Sequence, residues 1–250
     1  WHLIASLALL KRGLASFSFY PGATSAGIGF DVKDVISSSR FHAPGVRVHV
    51  MTDDWFGNPA GRTVFDHSPN RVARVSFTSG STGKYKPIAH TQKAVLSNAA
   101  ARIMFVELAH QRVLNLFGLN TFIGFSLSIA TFLAGATLCL TASGALALIG
   151  HVGVTMLAGS PLQITSMAGE ARDACFDLSS VRQISIAGGM ATHPVLSQIR
   201  EAFSAEIVDD YGATEAPMVG VARGRLLAQR ASGVIRFAPL ADIRIEPLEA

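Results

Sequence analysis

Residues 75 to 91 read VSFTSGSTGKYKPIAHT, and between Thr78 and Lys86 hydroxyls, glycines and lysines follow in close order. Backbone N–H groups at a glycine-rich turn can converge on an anion, because no side chain blocks the approach. The hydroxyls of Thr78, Ser79, Ser81 and Thr82 add donors around Gly80 and Gly83, and Lys84 and Lys86 supply point charges for phosphate oxygens. This is the inventory of a triphosphate-binding loop. Its order is not that of the common nucleotidase P-loop: Thr78 takes the place of that motif's first glycine, and Tyr85 follows Lys84 where a hydroxyl residue is required. A solvated hairpin turn would use similar residues, so this loop by itself leaves both readings open.

Two later turns carry complementary groups. DDYGATE, from Asp209 to Glu215, offers an aromatic face at Tyr211, a flexible Gly212, a hydroxyl at Thr214 and a carboxylate at Glu215. A tyrosine ring can stack on a nucleobase, and a glutamate is a hard oxygen ligand suited to magnesium held together with phosphates. IAGGM places Gly188 and Gly189 beside Met190, which allows close backbone approach to a flat ligand. The plainer alternatives are a core-edge aromatic at Tyr211 and a helix N-terminal acid at Glu215.

All three turns follow segments with strand character, so the elements around them decide what they can do together. LIASLALLKRG reads as a helix closed by Gly13, followed by a strand-like LASFSFY and a Pro-Gly turn. FDVKDVISSS is expected to be helical, and GVRVHVMTD alternates like a strand. Trp55 to Asn70, rich in Gly, Pro, Asn and Asp, reads as a long loop or linker and a candidate sub-division of the chain. RVARVSFT is a predicted strand, PIAH resumes extended structure, and Thr91 is an N-cap for the helix QKAVLSNAAARIMFV. GATLCLTA, VTMLAG, VRQISIAGG and AEIVDDY read as strands, SGALALIGHVG and HPVLSQIREAF as helices, and the tail from Gly233 as strand material. Repeated βα units predict an α/β fold of mostly parallel sheets flanked by helices, with ligands beyond the carboxyl ends of the strands.

Bulk properties narrow the function further. Of 250 residues 49% are apolar and 15% charged, which excludes global disorder and allows a sizeable core. The net charge of +4 comes from scattered single Lys and Arg residues, with no basic run or aromatic interleaving to bind nucleic acid. Cys139 and Cys175 form no CxxC and no zinc spacing, and are expected to be reduced, buried thiols in a cytoplasmic protein. From Val113 to Gly169 there is no Asp, Glu, Lys or Arg. The run is long enough for membrane spans of roughly 20 residues, but Asn, Ser, Thr and Gly break it into pieces of differing period, as in a parallel sheet covered on both faces. The chain opens at Trp1, inside a helical pattern whose basic residues follow the apolar run, the reverse of a signal peptide, and so reads as a piece of a longer protein.

FTSGSTGKYK followed by HT, then AGGM, then DDYGATE resembles the adenylate-forming (AMP-binding) superfamily: acyl- and aryl-CoA synthetases, adenylation domains of peptide synthetases, and luciferases. LALLKRGLASFSFYPGAT is similar to that family's helix-strand opening, so the resemblance covers most of the chain. It implies that residues 1–250 are part of the large N-terminal AMP-binding domain, acyl-/aryl-CoA synthetase type, without the family's small C-terminal domain. It implies ATP and Mg2+ as cofactors, and CoA or a carrier protein's phosphopantetheine as thiol acceptor. Thr78, Ser79, Gly80, Ser81, Thr82 and Gly83 would hold the β- and γ-phosphates, with Lys86 as the loop lysine. Gly188, Gly189 and Met190 would border the adenine. Asp209 and Asp210 precede Tyr211, which would stack on the ring. Asp209 falls where many members place an Asn that contacts the adenine amino group. Thr214, after Gly212, would contact the α-phosphate, and Glu215 would bind magnesium. The resemblance further implies attack of a carboxylate on the α-phosphorus, with Lys86, Thr214 and Glu215 as catalytic groups.

KYKP stands where the family has KPKG, so Pro87 replaces a glycine. The same resemblance puts the acid pocket near Asn120 and Phe122, where amino-acid-activating members carry an Asp. No carboxylate lies anywhere in 113–169, and an unpaired buried ammonium is costly, so an acyl or aryl acid is the expected substrate. Three rival readings remain: an adenylation-domain piece of a nonribosomal peptide synthetase, a non-catalytic ATP/AMP-binding module, and a membrane-associated protein.

Overall fold

The computed structural model describes residues 1–18, 32–40, 42, 45–56, 68–78, 86–233 and 235–240. The chain divides into two units, Trp1–Lys93 and Ala94–Ala250. The boundary lies in the first turn of a helix; residues 57–67 of the Gly- and Pro-rich stretch read as a candidate sub-division lie outside the described residues.

In the first unit, α1 (His2–Lys11) ends as the sequence suggests, with Gly13 at φ 68°. The segment after it forms no strand: only Ser16 bridges to Arg74 among the described residues, and Phe19 and Tyr20 lie outside them. FDVKDVISSS is not the expected helix. It holds the strand β1 (Asp34–Ser37), parallel to β2 (Arg47–Val50). Val35 and Ile36 favour a pleated surface, and the Asp34 carboxylate accepts from Arg47 Nε at 2.8 Å and meets His49 Nε2 at 2.7 Å on that partner. A 3-10 turn spans Asp53–Phe56. β3 (Val72–Thr78) and β4 (Lys86–Thr91) form an antiparallel hairpin. Arg74 is fully buried on β3, donating to Ser16 Oγ at 3.1 Å and Ser18 Oγ at 2.6 Å, and burial pulls its pKa to about 10.

The second unit is built on a sheet of seven described strands. They are β5 (Arg112–Asn115), β6 (Thr137–Cys139), β7 (Met156–Gly159), β8 (Gln183–Ala187), β9 (Glu206–Tyr211), β10 (Gly220–Ala222) and β11 (Ala238–Pro239). Their order is β11-β10-β9-β8-β7-β5-β6; the five from β6 to β9 run parallel, and β10 and β11 continue antiparallel. The helices are α2 (Gln92–Val106), α3 (Phe122–Leu133), α4 (Ala145–Val152), α5 (Pro161–Asp173), α6 (His193–Ala202) and the short α7 (Gly224–Ala228). After β6 the chain crosses back over β5 to add β7, so with right-handed connections α3 covers one face and α4, α5 and α6 the other. The core agrees: Leu114, Leu157, Ile184 and Ile207 of the strands pack with Ile149, Ile164, Leu196 and Ile199 of those three helices.

The uncharged run 113–169 is thereby explained. β7 is buried along its whole length, and α3 is buried from Gly124 through Thr131. Its hydroxyls are absorbed locally, Ser128 Oγ donating to Gly124 O at 2.8 Å and Thr131 Oγ1 to Leu127 O at 2.8 Å. Among the described residues no helix is long and apolar enough to cross a membrane. Of the two thiols only Cys139 is buried; Cys175 is exposed, on a turn at φ 53° after α5.

Candidate functional site

The carboxyl ends of the parallel strands in the second unit share one rim. β8 and β9 pair directly, Ala187 opposite Asp210, so Gly188–Met190 and Tyr211–Glu215 leave adjacent strands at the same edge. Next along the rim, Ser160 caps α5, accepting from Gln163 N while Gln163 Oε1 accepts from Ser160 N, with Pro161 in the first turn. Gln163 Nε2 also donates to Leu116 O at 2.8 Å, tying this turn to the loop after β5. Beyond it, Thr121 caps α3 by accepting from Gly124 N at 3.1 Å. Asn120 stands half-buried just before that cap, and Phe122 is packed away at 3% exposure in the helix's first turn.

Two glycines on the rim are there for different reasons. Gly188 lies at φ 73° with open space where a Cβ would point, so the left-handed conformation itself calls for glycine. Gly212 has backbone against it: a Cβ would meet Met218 N at 2.6 Å and Ala216 O at 3.1 Å. The chain folds back there, Ala213 N donating to Ala216 O at 3.0 Å and Val219 N to Tyr211 O at 2.7 Å. Met190 and Tyr211 are 70% and 55% exposed, leaving both side chains accessible at this edge. Thr214 is half-buried and Glu215 exposed.

Asp209 and Asp210 point to opposite faces of β9, as strand alternation requires, and each meets an arginine. Arg230 Nη1 lies 2.6 Å from Asp209 Oδ2, and Arg102 Nη1 lies 2.7 Å from Asp210 Oδ2, all four side chains nearly inaccessible. Burial pushes the Asp209 carboxyl up, against the pull of Arg230. These carboxylates are therefore engaged within the protein. On the Asp209 face, Phe237 stacks on Tyr211 with centroids 5.0 Å apart at 29°, and the Arg230 guanidinium lies 5.1 Å from the Phe237 centroid. Sequence reading finds neither arginine. Arg102 leaves a faint trace, since with Asn98 it makes an i, i+4 polar pair on an Ala-rich helix; Arg230 leaves none.

In the first unit, Thr78 and Lys86 are opposed in the β3–β4 register and flank the residues between them. Ser79, Gly80, Ser81, Thr82 and Gly83 lie outside the described residues. No group of three His, Cys, Asp or Glu side chains suited to a metal occurs among the described residues. A single exposed carboxylate such as Glu215 fits a magnesium ion held mainly by phosphates and water.

Comparison with known proteins gives a consistent answer. The family model described as AMP-binding enzyme matches residues 1–246. Nonribosomal peptide synthetase 7 of Aspergillus fumigatus is 28% identical over 222 residues, 85% of this chain but 9% of the synthetase. Amide bond synthetase McbA of Marinactinospora thermotolerans superposes with a TM-score of 0.73 at 21% identity, covering 92% of this chain and 51% of McbA. A double mutant of o-succinylbenzoate CoA synthetase (MenE) from Bacillus subtilis superposes at 0.73 and 19% identity, covering 89% and 48%. The chain thus spans about half the length of these solved enzymes.

Proposed function

This chain belongs to the AMP-binding enzyme family, and from that premise we propose that it carries the nucleotide-binding part of an ATP-dependent carboxylic-acid activation. A carboxylate oxygen of the acid attacks the α-phosphorus of ATP, the bond to the β-phosphate oxygen breaks, and acyl-adenylate and pyrophosphate result. Thr78 to Gly83 and Lys86 serve the outer phosphates, Gly188 to Met190 and Tyr211 the adenine, Thr214 the α-phosphate, and Glu215 the magnesium ion. Such a step needs positioning and charge neutralisation more than covalent chemistry. The observation that carries this reading is the emergence of the two glycine turns from the paired ends of β8 and β9, with an accessible tyrosine face and a carboxylate on one of them. The absence of carboxylates from 113–169 supports an acyl or aryl acid, which would then pass to CoA or to a carrier-protein pantetheine. The peptide-synthetase relative supports a second reading, an adenylation domain serving a carrier protein.

ATP–pyrophosphate exchange with a panel of fatty, aromatic and amino acids tests the activation and separates the two readings. Exchange with a non-amino acid is expected. Binding of ATP·Mg without exchange for any acid would reduce the protein to a nucleotide-binding module. Lys86→Ala should weaken ATP binding more than AMP binding; equal losses would remove Lys86 from the outer phosphates.

A further inference from the structure

Arg230 contacts residues adjoining both turns that would meet a purine: Asp209, Ala191 and Phe237. It is 3% exposed, and its Nη1 alone serves two acceptors, Asp209 Oδ2 on β9 and Ala191 O, one residue beyond the Gly188–Met190 turn, each at 2.6 Å. Its guanidinium lies over Phe237, within cation–π range, and Phe237 in turn stacks on Tyr211. Nε and Nη2 are buried without an acceptor among the described residues. A half-satisfied buried fork is a poor device for stability, because well-packed apolar side chains usually do as well or better. What the side chain does achieve is geometric: it joins Ala191, just past the glycine turn, to β9, and it lies over a ring that itself stacks on Tyr211.

We propose that Arg230 is a positioning residue for nucleotide binding, holding Tyr211 in its base-stacking orientation through Phe237 while clamping Ala191 to Asp209. Because Phe237 covers one face of Tyr211, the base stacks on the other. The inference rests on the adenine site proposed above and adds to it two residues that would touch no ligand.

The test is a thermodynamic cycle on the 250-residue chain, with AMP as the probe in calorimetric titrations below the unfolding temperature. Arg230→Met and Tyr211→Ala should each lower AMP affinity about tenfold, roughly 1.4 kcal/mol. The double variant should also lose about tenfold, since both changes remove the same stacked face. Losses that multiply to about a hundredfold, or an Arg230→Met protein with unchanged AMP affinity, would overturn the positioning role, because a merely structural arginine changes unfolding temperature without coupling to Tyr211. Should Arg230→Met not fold, Phe237→Ala carries the test. The same tenfold loss and the same non-additivity with Tyr211→Ala support the relay, and unchanged affinity refutes it. Failure of the unaltered chain to bind AMP would sink the adenine site itself and this inference with it, whereas normal binding by the unaltered chain and by Arg230→Met sinks only the inference.

Discussion

The buried pair between α2 and β9 gives the most quantitative expectation. Arg102 Nη1 and Asp210 Oδ2 are 2.7 Å apart, with side chains 3% and 2% exposed, and Arg102 Nε donates to Asn98 Oδ1 at 3.3 Å. Arg102→Met leaves the Asp210 carboxylate inside the protein with no cation, and breaking such a pair from one side costs about 3–5 kcal/mol. For a chain of this size each kcal/mol lowers the unfolding temperature by roughly 2–4 °C, so the expected fall is roughly 6–20 °C. Replacing both partners, Arg102→Met with Asp210→Leu, removes the stranded charge and should recover most of that loss. Urea unfolding followed by circular dichroism, with thermal melts alongside, measures Arg102→Met, Asp210→Leu alone and the double variant. If Arg102→Met lay within about 1 kcal/mol of the parent, or the double variant lost the sum of two large penalties, the pair would not be the buried contact described.

Two further expectations concern the turn after β9 and the first helix. Gly212→Ala drives a methyl into Met218 N and Ala216 O, backbone atoms that cannot rotate away, and should cost about 1–3 kcal/mol with a matching drop in the urea midpoint; an unchanged midpoint would show the turn is open. His2 Nε2 lies 2.5 Å from Ser18 Oγ, which also accepts from Arg74, and burial, then Arg74, pull its pKa below 6.5. The unfolded chain therefore takes up this proton first on acidification, so stability falls as pH drops below 6.5, and His2→Gln should flatten the slope of unfolding free energy against pH in that window. An identical slope in the variant would refute the assignment.

The strands and helices whose period was unambiguous were legible in the sequence. β3, β4, β7, β8, β9, α4 and α6 all fall where alternation or helical spacing puts them. β1 was not, because Asp34 and Ser37–Ser39 imitate a helix start while Val35 and Ile36 are held extended by β2, a partner not visible locally. α5 began inside the uncharged run and was missed there, although Ser160 and Gln163 are a capping box in plain view. The candidate site divides the same way. Glycines at 188 and 212 and the exposed Tyr211 announce themselves by type and spacing. Arg102 and Arg230 do not, since an ion pair closed over 108 residues in one case is a property of topology and not of any window of sequence.

That separation has a consequence for how the molecule is made. As the chain leaves the ribosome, α2 appears with a cation on it whose counter-charge has still to be synthesised more than a hundred residues later. Docking α2 before then would sequester a lone guanidinium, so this helix should stay loosely attached until the fifth parallel strand of the sheet has emerged. Nascent chains stopped just short of Asp210 should be cut by protease within α2, and chains extended past it should resist.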